Sequence, residues 1–269
     1  MSRYVRLVSP LALVLLAACG GGGSEGGGIV PPPPQAVDPQ GLWRGSADSG
    51  RDRLRATLLA SGEGAAYALL DDAQGAAIEA VYLSGLGPEA FVPGHVGSTG
   101  QGYYRHVAGG FYQSLNMATL SDASGRTRHR LQLQVGQGLP ANWTRQLGVD
   151  YDPAYERSWS LEQLQGRYIS RQSGHAMPQL RLSLADPDRM LSSDNAGCSF
   201  SNSRLRASGK ERNFFHVIGL LRGPACGFEG AATGLGFVTS DALGQPNGLT
   251  LMLRQSSGQG FFAFQGQRV

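Results

Sequence analysis

Leu54-Arg55-Ala56-Thr57-Leu58 decides the fold of this chain, together with the later Leu180-Arg181-Leu182-Ser183-Leu184. In an extended strand successive side chains point to opposite faces, so Leu54, Ala56 and Leu58 share one face and Arg55 and Thr57 the other. The second stretch repeats that alternation 126 residues on. Ahead of each lies another matched pair, Gln40-Gly41-Leu42-Trp43 and Gln165-Gly166-Arg167-Tyr168, offset by 125 residues. The near-common offset predicts an internal duplication of one β unit.

Through the first half the same alternation continues. Folding starts at Gln40-Gly41-Leu42-Trp43-Arg44-Gly45, and Asp71-Asp72-Ala73-Gln74-Gly75 reads as a turn, rich in residues that bond their own backbone. Ile78, Ala80 and Tyr82 carry the pattern on, and the Pro-, Gly- and Ser-rich residues 93–102 predict a loop. Phe111–Leu120 and Arg128–Val135 predict two more strands, the second with Leu131, Leu133 and Val135 inward and Arg130, Gln132 and Gln134 outward. No run of ten or more residues here has helical spacing.

Between the halves, Asp152-Pro153 marks a turn and Ser160-Leu161-Glu162-Gln163 fits a capping box. A short helix is expected there, ended by Gly166 in a left-handed conformation. Beyond it, strands are predicted at Gly166–Arg171, Pro178–Leu184, Arg189–Ser192, Cys198–Ala207, Asn213–Leu221, Cys226–Val238, Gly248–Arg254 and Gly260–Gln267. Asp186-Pro187-Asp188 and Pro246-Asn247-Gly248 read as turns between them. Eight sequential strands predict an up-and-down barrel, which leaves no unpaired edge, and one this compact is filled by its own side chains. The expected fold is all-β: two small antiparallel β domains, each eight-stranded and barrel-like, joined by a short helical linker behind a disordered N-terminal tether. The boundaries are 1–18 for a signal peptide, 19–39 for the tether, 40–148 for the N-terminal domain, 149–165 for the linker and 166–269 for the C-terminal domain. One composite barrel made from both halves is the alternative.

The N-terminus has the three parts of an export signal. Arg3 and Arg6 form a positive region, Leu7–Leu16 an apolar stretch too short to span a bilayer, and Ala17-Ala18 a small-residue approach to Cys19. Leu16-Ala17-Ala18-Cys19 resembles the lipobox of bacterial lipoprotein precursors. That resemblance implies cleavage between Ala18 and Cys19, lipid attachment at Cys19, and anchoring through more than one acyl chain, as stable membrane attachment requires. Gly20 in place of Asp, by the same resemblance, implies the outer membrane, with the body facing either the cell surface or the periplasm. Gly20–Gly23 and Gly26–Gly28 are flexible sequence and Pro31–Pro34 a stiff polyproline segment, a tether of some tens of ångströms. Cysteine followed by poly-Gly resembles the tethers of surface lipoproteins such as the transferrin-binding and factor-H-binding proteins, as does the closing Phe261-Phe262-Ala263-Phe264-Gln265-Gly266. Gly197-Cys198-Ser199-Phe200-Ser201 and Cys226-Gly227-Phe228-Glu229-Gly230 resemble segments of a group of uncharacterised proteobacterial lipoproteins, which implies no activity.

With Cys19 lipidated, Cys198 and Cys226 remain, and in an exported protein they predict a structural disulfide. Its loop of about 29 residues stabilises the fold by about 3–4 kcal/mol on the chain-entropy model. The charge balance excludes nucleic acid as a partner: 23 basic against 20 acidic residues become 21 against 20 once Arg3 and Arg6 are removed, with no basic stripe. Lys210 is the only Lys; the Arg excess fits phosphate or carboxylate recognition, but a GC-rich genome produces the same skew and is the preferred reading.

No catalytic constellation emerges, and neither a metal nor a cofactor is expected. His95, His106, His129, His175 and His216 lie in no metal-ligand spacing, and His216, between Phe214 and Ile218, reads as a core residue. Asp71-Asp72 and Asp150-Tyr151-Asp152 offer paired carboxylates but read as turn residues. Gly22-Gly23-Ser24-Glu25-Gly26 matches a serine hydrolase elbow without the strand and helix that elbow needs, and Asn142-Trp143-Thr144 is a sequon without a role in a bacterium. Tyr103-Tyr104 beside the 93–102 loop could form an adhesive patch or pack inward. The expected function is therefore a non-enzymatic, lipid-anchored outer-membrane lipoprotein that binds a protein or other ligand through loops of its β domains. The alternatives are a periplasm-facing lipoprotein that supports the envelope and, behind both, a hydrolase.

Overall fold

The structure, a computed structural model, describes residues 40–48, 50, 52–61, 64–75, 77–84, 98–106, 109–117, 130–135, 145–170, 180–186, 189–194, 197–207, 212–257 and 260–269. Signal, lipobox and tether therefore lie outside the described residues, as do the Asn142 sequon, His95, His129 and His175. The described residues all fall in one compact unit.

The first eight strands are β1 (Gly41–Asp48), β2 (Arg53–Ala60), β3 (Ala65–Asp71), β4 (Ala77–Ser84), β5 (Ser98–His106), β6 (Gly109–Met117), β7 (Arg130–Val135) and β8 (Arg145–Tyr151). They make one antiparallel sheet in the order β6-β5-β4-β3-β2-β1-β8-β7. Chain neighbours pair throughout and β8 returns to β1, but no pairing joins β6 to β7 among the described residues. The second eight are β9 (Gly166–Ser170), β10 (Leu180–Asp186), β11 (Arg189–Asp194), β12 (Ser199–Ala207), β13 (Phe215–Arg222), β14 (Gly230–Ser240), β15 (Pro246–Gln255) and β16 (Phe261–Arg268). These close into a barrel, with β16 pairing β9. The fold is all-β, two antiparallel eight-stranded meanders, one curled and one closed.

Alternation explains both interiors. Leu54, Ala56 and Leu58 all turn inward in the first sheet, beside Trp43, Ala68 and Val149. Their echoes Leu182 and Leu184 turn into the barrel among Tyr168, Phe200, Phe215, Phe262 and Phe264, so the barrel is filled rather than hollow. Gly266 continues the inward row of β16 because a β-carbon there would lie 2.3 Å from the Phe264 ring. Cys198 and Cys226 are buried in the same core and disulfide-bonded, tying the start of β12 to the 3-10 helix Pro224–Cys226.

Several boundaries differ from the sequence expectation. The segment Cys226–Val238 is strand only from Gly230, because Pro224 starts a helical turn that Cys226 completes. Pro246-Asn247-Gly248 is the start of β15 rather than a turn; Pro is tolerated at a first strand residue, and the turn falls one step earlier, where Asp241 N–H donates to Gln245 O at 2.9 Å. Within residues 93–102, Ser98–Gly102 belongs to β5 despite its glycines. Ser160 and Gln163 do exchange capping-box bonds, at 2.9 and 3.3 Å, but the bonds that follow span three residues and the segment stays a turn. The linker's helical element is instead the 3-10 helix Pro153–Glu156, where Asp152 accepts from Ala154 N–H at 2.9 Å and Pro153 sits where a missing N–H costs nothing. Gly166 has a φ of +150° but opens β9 rather than ending a helix.

Candidate functional site

The strands of the first sheet nearest the barrel are apolar on both faces. In β3 and β4, Ala66, Ala68, Leu70, Val81 and Leu83 face the interior, and the residues between them face the barrel's outer wall. There Leu42, Leu59, Tyr67, Leu69, Ala80 and Tyr82 pack with Leu235, Phe237, Met252, Phe261 and Ala263 in one buried cluster. The Tyr67 hydroxyl donates to Thr233 O at 3.5 Å, and burial pushes its ionisation well above the ordinary tyrosine range. The Arg254 guanidinium stands 4.9 Å over the Tyr82 ring. The linker joins the same cluster through Tyr155, whose carbonyl accepts from Asn213 N–H at 2.9 Å. The Asn213 amide in turn bridges Ala154 O and both backbone groups of Val238, at 3.2, 2.7 and 2.7 Å.

One two-residue step along each of six strands, this face changes character. Leu42 is followed by Arg44, Leu69 by Asp71, Phe237 by Thr239 and Ala263 by Gln265; Leu59 is preceded by Thr57 and Met252 by Thr250. Residues two apart lie on the same face of a strand. The sheet-on-sheet contact therefore ends in a polar cleft of about 360 Å³ lined by these residues together with Arg55, Gln74 and Gln267. Register fixes the layout: Arg44 pairs with Thr57, Arg55 with Asp71, and Thr250 lies between Phe237 and Gln265.

Asp71 is the centre of this cleft. It is 8% exposed, its Oδ2 accepts from Gln265 Nε2 at 3.4 Å, and its Oδ1 is buried with no hydrogen-bond partner. Burial raises its pKa from 3.8 to about 6; the Gln265 bond and the charges of Arg55 and Arg44 pull the other way, while Asp72 adds to the rise. Arg44 lies 5.8 Å over the Phe237 ring and is paired with Asp152 at 2.5 Å.

A second buried charge cluster lies inside the first sheet. Arg145 on β8 reaches Glu79 on β4 at 2.6 and 3.0 Å and Asp52 at 2.5 Å, with Arg145 and Glu79 3% and 2% exposed. The fork geometry satisfies the planar guanidinium on two sides, so this is a structural closure. His216 is half-buried on the outer wall of the barrel, edge-on to Phe214 at 5.1 Å, rather than in the core. His106 ends β5, and Tyr103 and Tyr104 lie within it in register with Tyr82 and Val81. Among the described residues no group of three or more His, Cys, Asp or Glu gathers to hold a metal, and no helix is long and apolar enough to cross a membrane.

Of the residues singled out in sequence, Cys198 and Cys226 are brought together, and Ala18 and Cys19 lie outside the described residues. Asp71 is not a turn residue: it ends β3, and the turn proper is Asp72–Gly75, closed by Gly75 N–H to Asp72 O at 3.0 Å. Asp152 does act as a turn and cap residue. Arg44, Arg55, Thr250 and Gln265 belong to no site motif in the sequence. The available signal was a polar residue exactly one dyad beyond an apolar one on several strands, which no single strand displays. The molecule is thus two back-to-back β meanders with a charged cleft at one end of their contact. Comparison with family models, curated proteins and solved structures found no match.

Proposed function

We propose that this chain is a lipid-anchored outer-membrane lipoprotein that binds a ligand without transforming it. Cys19 after Leu16-Ala17-Ala18 supports the anchor, and the buried Cys198–Cys226 disulfide suits an oxidising envelope compartment. The observation that carries binding is the cleft at Asp71, a concave site with convergent polar groups on a two-sheet scaffold. This moves the binding surface from the loops to the seam between the β domains. The described lining holds one carboxylate and no His, Cys or Ser, which favours binding over nucleophilic or paired acid–base chemistry.

Metabolic labelling with radioactive palmitate tests the anchor. Wild type incorporates label and fractionates with the outer membrane, whereas Cys19→Ser loses both. Label that persists in Cys19→Ser contradicts the assignment. Protease added to intact cells then separates the two orientations: digestion beyond Pro39 places the body outside, and protection until the outer membrane is breached favours the envelope-support role.

A further inference from the structure

We infer that the cleft between the two sheets binds a neutral, hydroxyl-rich ligand of monosaccharide to disaccharide size. The inference rests on the body being a binding protein and names its ligand class. Charge comes first. Arg44 is matched at 2.5 Å by Asp152, which lies outside the lining, and Arg55 stands directly across from Asp71, so each cation of the cleft faces a carboxylate. An anion on Arg55 would strand Asp71, an uncompensated charge that is 8% exposed, and a cation on Asp71 would lie against the Arg55 and Arg44 charges that already act on it.

The remaining polar lining is neutral and two-way. Thr57, Thr239 and Thr250 carry hydroxyls and Gln74, Gln265 and Gln267 carry amides. Each such group can both donate and accept, as every sugar hydroxyl does. Asp71 then supplies the specific demand. Its Oδ1 is buried and lacks a donor, and a buried acceptor left unmade is costly. Oδ1 is closed to solvent, so a ligand hydroxyl meets that demand once the carboxylate turns about its Cβ–Cγ bond and presents that oxygen to the cleft, and it adds no charge. The volume of about 360 Å³ falls at the lower end of the range for small-molecule sites, about 300–1,000 Å³. The competing occupant is an amino-acid zwitterion, which could meet Asp71 and Arg55 together but brings few hydroxyls to the Thr57, Thr250 and Gln267 side of the lining.

The test is a titration of the full-length chain in a polyoxyethylene detergent, since an alkyl glycoside would itself compete. The probes are glucose, galactose, N-acetylglucosamine, maltose and lactose, set against L-alanine, L-glutamine and inorganic phosphate, with heat or chemical-shift change as readout. At least one sugar is expected to bind saturably, and Asp71→Asn to weaken it by about tenfold or more, as loss of a hydrogen bond to a charged group does. Thr250→Val, which keeps the side-chain volume on the opposite wall, should weaken the same sugar and serves if Asp71→Asn folds poorly. Saturable binding of L-alanine, L-glutamine or phosphate, lost in Asp71→Asn, would overturn the sugar assignment and leave the binding body standing. Silence of every probe, or sugar binding unchanged in both variants, would overturn the site itself. Neither outcome bears on the anchor, which Cys19→Ser tests separately.

Discussion

The two ends of the contact between the β domains are built from the same six strands and the same faces, yet they do opposite things. At one end Leu42, Leu59 and Leu69 meet Met252, Phe261 and Ala263 in a dry cluster; two residues along each strand the partners are Arg44, Thr57 and Asp71 with Thr250 and Gln265. The apolar end holds the sheets in place, and because strands are stiff the polar end inherits that alignment. Preorganised polar groups on rigid elements are what a binding site requires. The difference teaches that a single dyad step can turn a core into a cleft, with only Gln74 and Gly75 of the β3–β4 turn added to the strands.

The strongest way to break the comparison is at the apolar end. Phe261 is 2% exposed and its ring lies 6.1 Å from that of Tyr67. Phe261→Ala should cost about 3–5 kcal/mol in urea unfolding, as for a large buried aromatic. Ligand binding should weaken with it, since the cleft would lose its alignment; unaltered binding would show the two ends to be uncoupled.

At the polar end the sign reverses. Asp71 has a folded pKa of about 6 against an ordinary 3.8, so holding it ionised costs the fold about 3 kcal/mol at pH 7. Between pH 4 and 6 the folded state holds more protons than the unfolded one, so this contribution to stability falls as pH rises, and it is flat above about 6. Asp71→Asn should therefore stabilise the protein by up to about 3 kcal/mol at pH 7 and make little difference at pH 3–4. Unfolding curves at the two pH values check it, and a destabilised Asp71→Asn at pH 7 would contradict it.

The smallest effect belongs to the residue that fastens the linker, Asn213, just ahead of β13. Asn213 bonds Ala154 O and both backbone groups of Val238, next to Phe237 at the boundary between the two ends. Asn213→Ala leaves those groups short of partners and should cost about 1–3 kcal/mol by chemical denaturation.

Much of the fold was legible because period-2 alternation is local. Leu54, Ala56 and Leu58 announced an inward face, and all eight strands of the barrel were found within a few residues. Three of the misplacements share one cause: Pro246, Gly100 and Asp71 are residues of turns by habit and of strands by tertiary context. The continuous apolar run Ala80-Val81-Tyr82-Leu83 carried the missing information, since a strand without polar alternation is covered on both faces. What covers it lies in the other half of the chain. Asp71 meets Gln265 across 194 positions, and no local pattern links them. The disulfide was legible by elimination alone, whereas the Arg145–Glu79 pair was hidden by the same distance problem.

The most direct measurement is the titration of the Asp71 side-chain carbon by carbon-13 NMR, with Asp71→Asn to assign it, in the free protein and with saturating sugar. Arg55, Arg44 and Asp72 are the charges that bear on it in both states. The free carboxyl should titrate near 6, and a sugar hydroxyl donated to Oδ1 should lower that value by favouring the ionised form. A free value near the ordinary 3.8, or one that bound sugar leaves where it was, would contradict a buried carboxylate waiting for a donor.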